Sequence, residues 1–177
     1  MTTQSKILGS YSPEDVTVIL SGAFGSVTVN GFVEGTFISV TRENPHATLY
    51  TGADLSNARV IRRNKGGTIN INLHQASESN DVLSYLLQKD EEDASGTWLF
   101  SVTIKDELGR SVFHSPTCFI SQPPEASFGT DLSDRGWVIQ AVSIDQVQGG
   151  NGLFSPDTAA TLTEMGFAPE DRWKAAP

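Results

Sequence analysis

The residues with chemistry to test first are three histidines, one cysteine and one cluster of basic side chains. His46, His74 and His114 stand apart, and no spacing sets two of them on one face beside a third ligand. Zinc needs several convergent donors, so no metal site is expected. Ser115 follows His114 and lies downstream of Asp106, but no nucleophile elbow surrounds it and no triad is expected. Cys118, beside Phe119 in a strand-like run, reads as a small buried hydrophobe. Gly149 to Gly152 is too short for a phosphate loop, and no Gly-Lys-Ser follows. Asp90 to Asp93 lacks the spaced ligands and central glycine of a calcium loop and reads as the wet end of a helix. No acid, base and nucleophile converge, so neither enzymatic activity nor a cofactor is expected.

The basic cluster is Arg59, Arg62, Arg63 and Lys65. It stands out in a chain of 177 residues with a net charge of −9. That balance opposes tight binding of DNA or RNA, which requires cations to displace the counterions of phosphate. The cluster is also small and has no interleaved aromatics. Two readings stand: a solvated loop, and a basic projection that docks on an acidic face of an identical neighbour.

The elements that position these groups centre on Gly66 to Asp93, which passes from one periodicity to another. Ile69, Ile71 and Leu73 alternate with Thr68, Asn70, Asn72 and His74, the pattern of a strand with one apolar and one polar face. A helical pattern follows at once, with Val82, Leu83, Leu86 and Leu87 as its apolar stripe. Ser77 or Ser79 is expected to cap it, because a short hydroxyl accepts amide protons that the first turn leaves unpaired. A strand polar on one face and followed by an amphipathic helix implies a sheet buried on one side under that helix. The other side looks into water.

The rest of the chain reads mostly as strands. Met1 to Tyr11 is expected to be an extended polar arm, with no signal peptide, and Ser12 to Asp15 a turn. Val16 to Leu20 is a strand, and Ser26 to Asn30 another with Val27 and Val29 inward. Asn30-Gly31 is the signal of a hairpin leading into the strand Gly35 to Arg42. Glu43 to Lys65 reads as a long excursion, a hairpin that projects from the domain, with strand-like pieces at Ala47 to Tyr50 and Arg59 to Ile61. Thr97 to Asp106 and Arg110 to Ile120 form an antiparallel pair through Glu107-Leu108-Gly109, and Gln122-Pro123-Pro124-Glu125 ends it. Gly136 to Ile144 is apolar on both faces, which predicts a strand covered on both sides. Gly149 to Gly152 is expected to be a flexible joint. Beyond it Ser155-Pro156-Asp157 opens a short helix that Gly166 ends, and Trp173 is expected to be an exposed aromatic in a polar tail, with two readings open: a candidate contact with another subunit, or a loosely docked tail. The expected domains are therefore 1–148, with a projecting loop at 43–65, and a C-terminal extension at 149–177. No apolar run is long enough to cross a bilayer as a helix, and a single cysteine suits a reducing compartment.

Three stretches carry a likeness to a known family. Thr68 to Ser84 (TININLHQASESNDVLS) joins an alternating strand to a Ser-x-Ser-Asn-Asp-x-Leu helix start. Val102 to Phe119 holds the turn Asp106 to Ser111 (DELGRS). Pro123 to Val142 (PPEASFGTDLSDRGWVIQAV) leads from a Pro-Pro-Glu turn to an Arg-x-Trp strand. With the Asn30-Gly31 turn, these cover most of 16–147, and in order and spacing the chain resembles the tail tube proteins of contractile-tailed bacteriophages. The tube protein of type VI secretion is similar in fold and assembly. The resemblance implies a mainly β protein: an antiparallel β-sandwich or split barrel with one flanking α-helix. It implies a structural subunit of a virion tail, made in the host cytoplasm, whose hexameric rings stack into a tube that conducts DNA on sheath contraction. The implied partners are itself, the tail sheath protein, the tape measure protein, and baseplate and terminator proteins, with DNA passing through unbound. On this reading Thr68, Asn70 and Asn72 face the lumen. Arg59, Arg62, Arg63 and Lys65 reach the next ring, and Trp173 is a tail contact. Two other functions compete: a type VI-like tube that carries effectors, and a small β-barrel module for an apolar ligand, which would need an apolar interior.

Overall fold

Alternation of apolar and polar residues builds most of this molecule, and the computed structural model, which describes residues 8–175, resolves it into ten strands and two α-helices. In chain order the strands are β1 (Val16–Gly22), β2 (Gly25–Thr28), β3 (Ile38–Arg42), β4 (Ala47–Thr51), β5 (Asn57–Ile61) and β6 (Gly67–His74). Helix α1 (Ser79–Glu92) follows, then β7 (Phe100–Asp106), β8 (Val112–Gln122), β9 (Asp134–Ala141) and β10 (Asp145–Val147), and finally α2 (Pro156–Glu164). The main sheet runs β2-β1-β7-β8-β9-β6-β3, while β4 and β5 form a separate two-stranded sheet. The pairs β1–β2, β3–β6, β6–β9 and β8–β9 are antiparallel. The fold is thus mainly β and antiparallel, as expected.

Contacts cluster into two units. The larger comprises 18–103 and 113–145 and holds most of the sheet, the β4–β5 hairpin and α1. Its core is the apolar face of the strands: Val18 and Leu20, Ile69, Ile71 and Leu73, Phe100 and Val102, Cys118 and Ile120, Trp137, Ile139 and Ala141. Leu83 and Leu86 of α1 are buried as well. Each such aliphatic side chain contributes about 1.5–3 kcal/mol when removed from water. Trp137 Nε1 donates to Asn80 Oδ1 at 3.0 Å, tying the first turn of α1 to β9.

The start of α1 departs from the expected cap. The residue before the helix is Glu78, in a helical conformation and without a capping side chain. Ser77 Oγ does accept the Ser79 N–H at 3.2 Å, but it donates to Asn30 O at 2.5 Å, and Ser79 Oγ accepts the Asn30 N–H at 2.9 Å. The serines pin a distant turn to the helix. That turn is the second departure. Gly31 adopts the expected left-handed backbone (φ 77°), yet Asn30-Gly31 does not join two paired strands. β2 pairs with β1 and β3 pairs with β6, so the chain crosses the sheet here, and His74 N donates to Gly31 O at 2.9 Å. A local turn signal says nothing about which strands will be neighbours.

The strand expected to be covered on both sides is covered on one. Trp137, Ile139 and Ala141 of β9 are buried, whereas Val138 and Gln140 are half-buried and Val142, just beyond, is exposed. Ile144 is buried after the strand has ended, which is why the run looked apolar throughout.

The smaller unit gathers the described parts of 1–17, 104–112 and 146–177. The predicted joint at Gly149 to Gly152 is fastened within it. Ser111 Oγ donates to Gly149 O at 2.8 Å, Arg110 Nη1 to Gly152 O at 2.5 Å, and Asn151 Nδ2 to Asp106 Oδ2 at 2.7 Å. Helix α2 begins as expected, with Ser155 Oγ accepting the Thr158 N–H at 3.3 Å and Pro156 in its first turn. Pro13–Asp15 forms a 3-10 turn. The extended arm expected at Met1 to Tyr11 falls largely outside the described residues.

Candidate functional site

The polar face of the main sheet is the first candidate surface, and β6 sets it. Its residues alternate buried and half-buried along the whole strand, with Thr68, Asn70, Asn72 and His74 on the half-buried side. Register extends that side to the neighbouring strands. Thr68 lies opposite Thr41 of β3 and Gln140 of β9, and Asn70 lies opposite Ser39 and Val138. The polar groups are held to one another: Asn70 Nδ2 donates to Ser39 Oγ at 3.3 Å, Asn72 Nδ2 to Thr36 O at 3.0 Å, and Gln140 Nε2 to Glu43 Oε1 at 2.6 Å. Further along the sheet Thr103 Oγ1 lies 2.9 Å from His114 Nδ1, and Ser21 Oγ lies 2.7 Å from Ser26 Oγ. Period-two spacing carried Thr68, Asn70 and Asn72, with Ser39 and Thr41. Gln140 was hidden in a segment dominated by apolar residues, and His114 in a strand that slips phase. Ser115 and Cys118 are both buried, three positions apart, so alternation breaks between them.

The second candidate surface is the β4–β5 hairpin, which forms as expected within 43–65. Five paired positions run from Ala47–Ile61 to Thr51–Asn57, and Arg62 N donates to His46 O at 2.8 Å at its base. Every residue of β5 is exposed. The basic residues separate here. Arg62, Arg63 and Lys65 line a groove of about 220 Å³ at the base with Arg42 and His46, whereas Arg59 sits up the hairpin opposite Leu49. Lys65 is engaged within the chain: its Nζ lies 2.7 Å from Asp145 Oδ1. That hydrogen bond, and then the lysine charge, hold the Asp145 carboxyl below its ordinary range. Arg59, Arg62 and Arg63 make no salt bridge among the described residues.

Trp173 is less exposed than expected. It is half-buried, with the Arg110 guanidinium 4.8 Å from its ring centre, and the same guanidinium lies 4.0 Å over Phe154. Phe154 N donates to Trp173 O at 2.7 Å. Burial pulls the Arg110 pKa below the ordinary arginine value. The aromatic thus packs on its own chain, an arrangement built from residues too distant in sequence to be paired by spacing.

Cys118 is buried, and desolvation pushes its thiol pKa up, which leaves it an inert hydrophobe. Among the described residues no group of His, Cys, Asp or Glu is placed to hold a metal ion, and no helix is long and apolar enough to cross a membrane.

Comparison with known proteins places these surfaces in context. Residues 8–149 match the family described as Bacteriophage PhiTE tail tube protein. The chain is 37% identical over 166 residues to "Structural protein ORF10" of Pseudomonas phage KPP10, a match covering 93% of this chain and 96% of that protein. In fold it is similar to a chain of an extracellular contractile injection system, the PVC sheath–tube complex in its extended state. That match has a TM-score of 0.53 and 9% identity, covering 83% of this chain and 97% of the other. It is also similar to the anti-feeding prophage tube terminating cap, with a TM-score of 0.50, 8% identity and 83% and 99% of the two chains covered.

Proposed function

The chain belongs to the Bacteriophage PhiTE tail tube protein family, and on that footing we propose that it closes with copies of itself into hexameric rings that stack into a hollow, DNA-conducting tube. As a tail tube protein it is a structural component of the virion tail. The observation that carries the finer reading is the polar face centred on Thr68, Asn70 and Asn72. Hydroxyl and amide groups hydrate a channel without offering cations to phosphate, and the net charge of −9 adds general repulsion. DNA then slides through without being held.

The path of the main sheet ends at β2 and β3. In a ring those strands meet the edges of neighbours, which removes unpaired backbone that would otherwise recruit other chains. The β4–β5 hairpin, with Arg59, Arg62 and Arg63, reaches the adjacent ring, and Lys65 steadies its base through Asp145. Trp173 would serve a tail contact through the segment it holds against Arg110. A sheath protein surrounds the tube and a terminator closes it, a reading supported by the sheath–tube complex and the terminating cap named among the similar folds. Tape measure and baseplate proteins complete the assembly. The chain acts by geometry and carries out no catalysis.

Accessibility tests the lumen. In assembled tubes of Asn70→Cys, a small maleimide should label the new thiol, whereas a maleimide carried on a protein too wide for the channel should not. Equal labelling by both reagents would place Asn70 on the outside and overturn the assignment.

A further inference from the structure

We propose that an apolar groove beside α1 receives the tip of the β4–β5 hairpin from a second copy of the chain. The inference rests on the tube reading and names the surface that the hairpin would meet. The groove encloses about 300 Å³ and is lined by Phe24, Val27, Val82, Tyr85, Leu86 and Trp98, with Lys89 at its end. Val82, Tyr85, Leu86 and Lys89 follow helical spacing, so they share one face of α1; Glu92, whose Oε2 lies 2.8 Å from Lys89 Nζ, continues that face past the groove, and Asp93 lies just beyond the helix end.

The hairpin has the complementary features. Leu55 stands at its tip, 78% exposed, with a left-handed backbone (φ 62°) that a branched apolar residue rarely adopts. The turn holds it there: Leu55 N donates to Gly52 O at 3.0 Å, Gly52 N to Ser56 O at 2.8 Å, and Asp54 Oδ1 accepts from both Ser56 N and Ser56 Oγ. Leu49 and Tyr50 nearby are also exposed. A two-stranded hairpin is marginal in water without a surface to cover it. Leu49 and Leu55 are too exposed to be seated in their own chain's groove, so a second copy supplies the surface.

Charge fixes the orientation. Asp54, beside the tip, then lies toward Lys89, which pairs with Glu92 at the end of the groove. Arg59, further down the hairpin, then meets the acidic end of α1, where Asp93 Oδ1 accepts the Ser95 N–H at 3.0 Å and makes no salt bridge among the described residues. The reverse orientation would set Arg59 against Lys89.

Cysteine cross-linking tests the pairing. The double variant Leu55→Cys/Tyr85→Cys, oxidised after assembly, should give a ladder of disulfide-linked oligomers on a non-reducing gel. Either single variant should give at most dimers, and buried Cys118 does not compete. A charge swap gives a second readout. Arg59→Glu or Asp93→Arg alone should lower sedimentable tube mass by about tenfold, and the two together should restore it. Hollow tubes seen by electron microscopy with no ladder and no rescue would overturn this pairing and leave the tube reading standing. Failure of the unaltered protein to form rings or tubes at any concentration would overturn both.

Discussion

Two strands of the larger unit, β6 and β5, differ sharply in burial. Both carry β-branched residues, and both pair along their length. In β6 every second residue is buried, and Ile69, Ile71 and Leu73 are almost wholly removed from water. In β5 every residue is exposed, Val60 and Ile61 included. Interactions within the chain account for the order of β6. They account less fully for that of β5, whose Val60 and Ile61 stay 44% and 48% exposed. The contrast separates residues that hold this subunit together from residues it leaves at its surface.

The largest predicted effect lies on β6. Ile71→Ala should lower stability by about 2–5 kcal/mol, because a fully buried side chain leaves both lost burial and a cavity, and the urea midpoint should fall accordingly. Trp173→Ala should cost about 1 kcal/mol, by loss of the ring stacked on Arg110. Faster proteolysis of the C-terminal segment is the readout, and an unchanged cleavage rate would argue against the clasp. On β5, Val60→Ser should change subunit stability by no more than about 0.5 kcal/mol while weakening tube formation. If Val60→Ser destabilised the isolated subunit as much as Ile71→Ala, the distinction between the strands would collapse.

The smallest effect concerns the hairpin base. Lys65 lowers the Asp145 pKa through a hydrogen bond and then through its charge. A depressed carboxyl pKa contributes stability that is present above the unfolded pKa and lost as pH falls through the folded one. The pair therefore acts at neutral pH and fades in acid. Lys65→Met should raise the Asp145 pKa in an NMR titration, and an unmoved titration would dissociate the two groups.

Periodicity made β6, α1 and the hairpin legible, because in each of them side-chain alternation or a turn reports directly on local conformation. It failed where the outcome depends on partners distant in sequence. Asn30-Gly31 was legible as a turn, but its partner is the start of α1. Val138, Val142 and Ile144 suggested a doubly covered strand, because the strand's end after Ala141 carries no marker. Gly149 to Gly152 suggested freedom, yet Arg110, Ser111 and Asp106 fasten it. Of the candidate site residues, Thr68, Asn70 and Asn72 share one face as read. Lys65 reads as one of a basic cluster because its partner Asp145 lies far along the chain. Trp173 looked exposed for the same reason.

The central claim is that this subunit builds a hollow tube, and electron microscopy of the purified protein in negative stain across a concentration series tests it most directly. The account predicts rings or stacked tubes with a stain-filled central channel. Compact monomers at every concentration would contradict it.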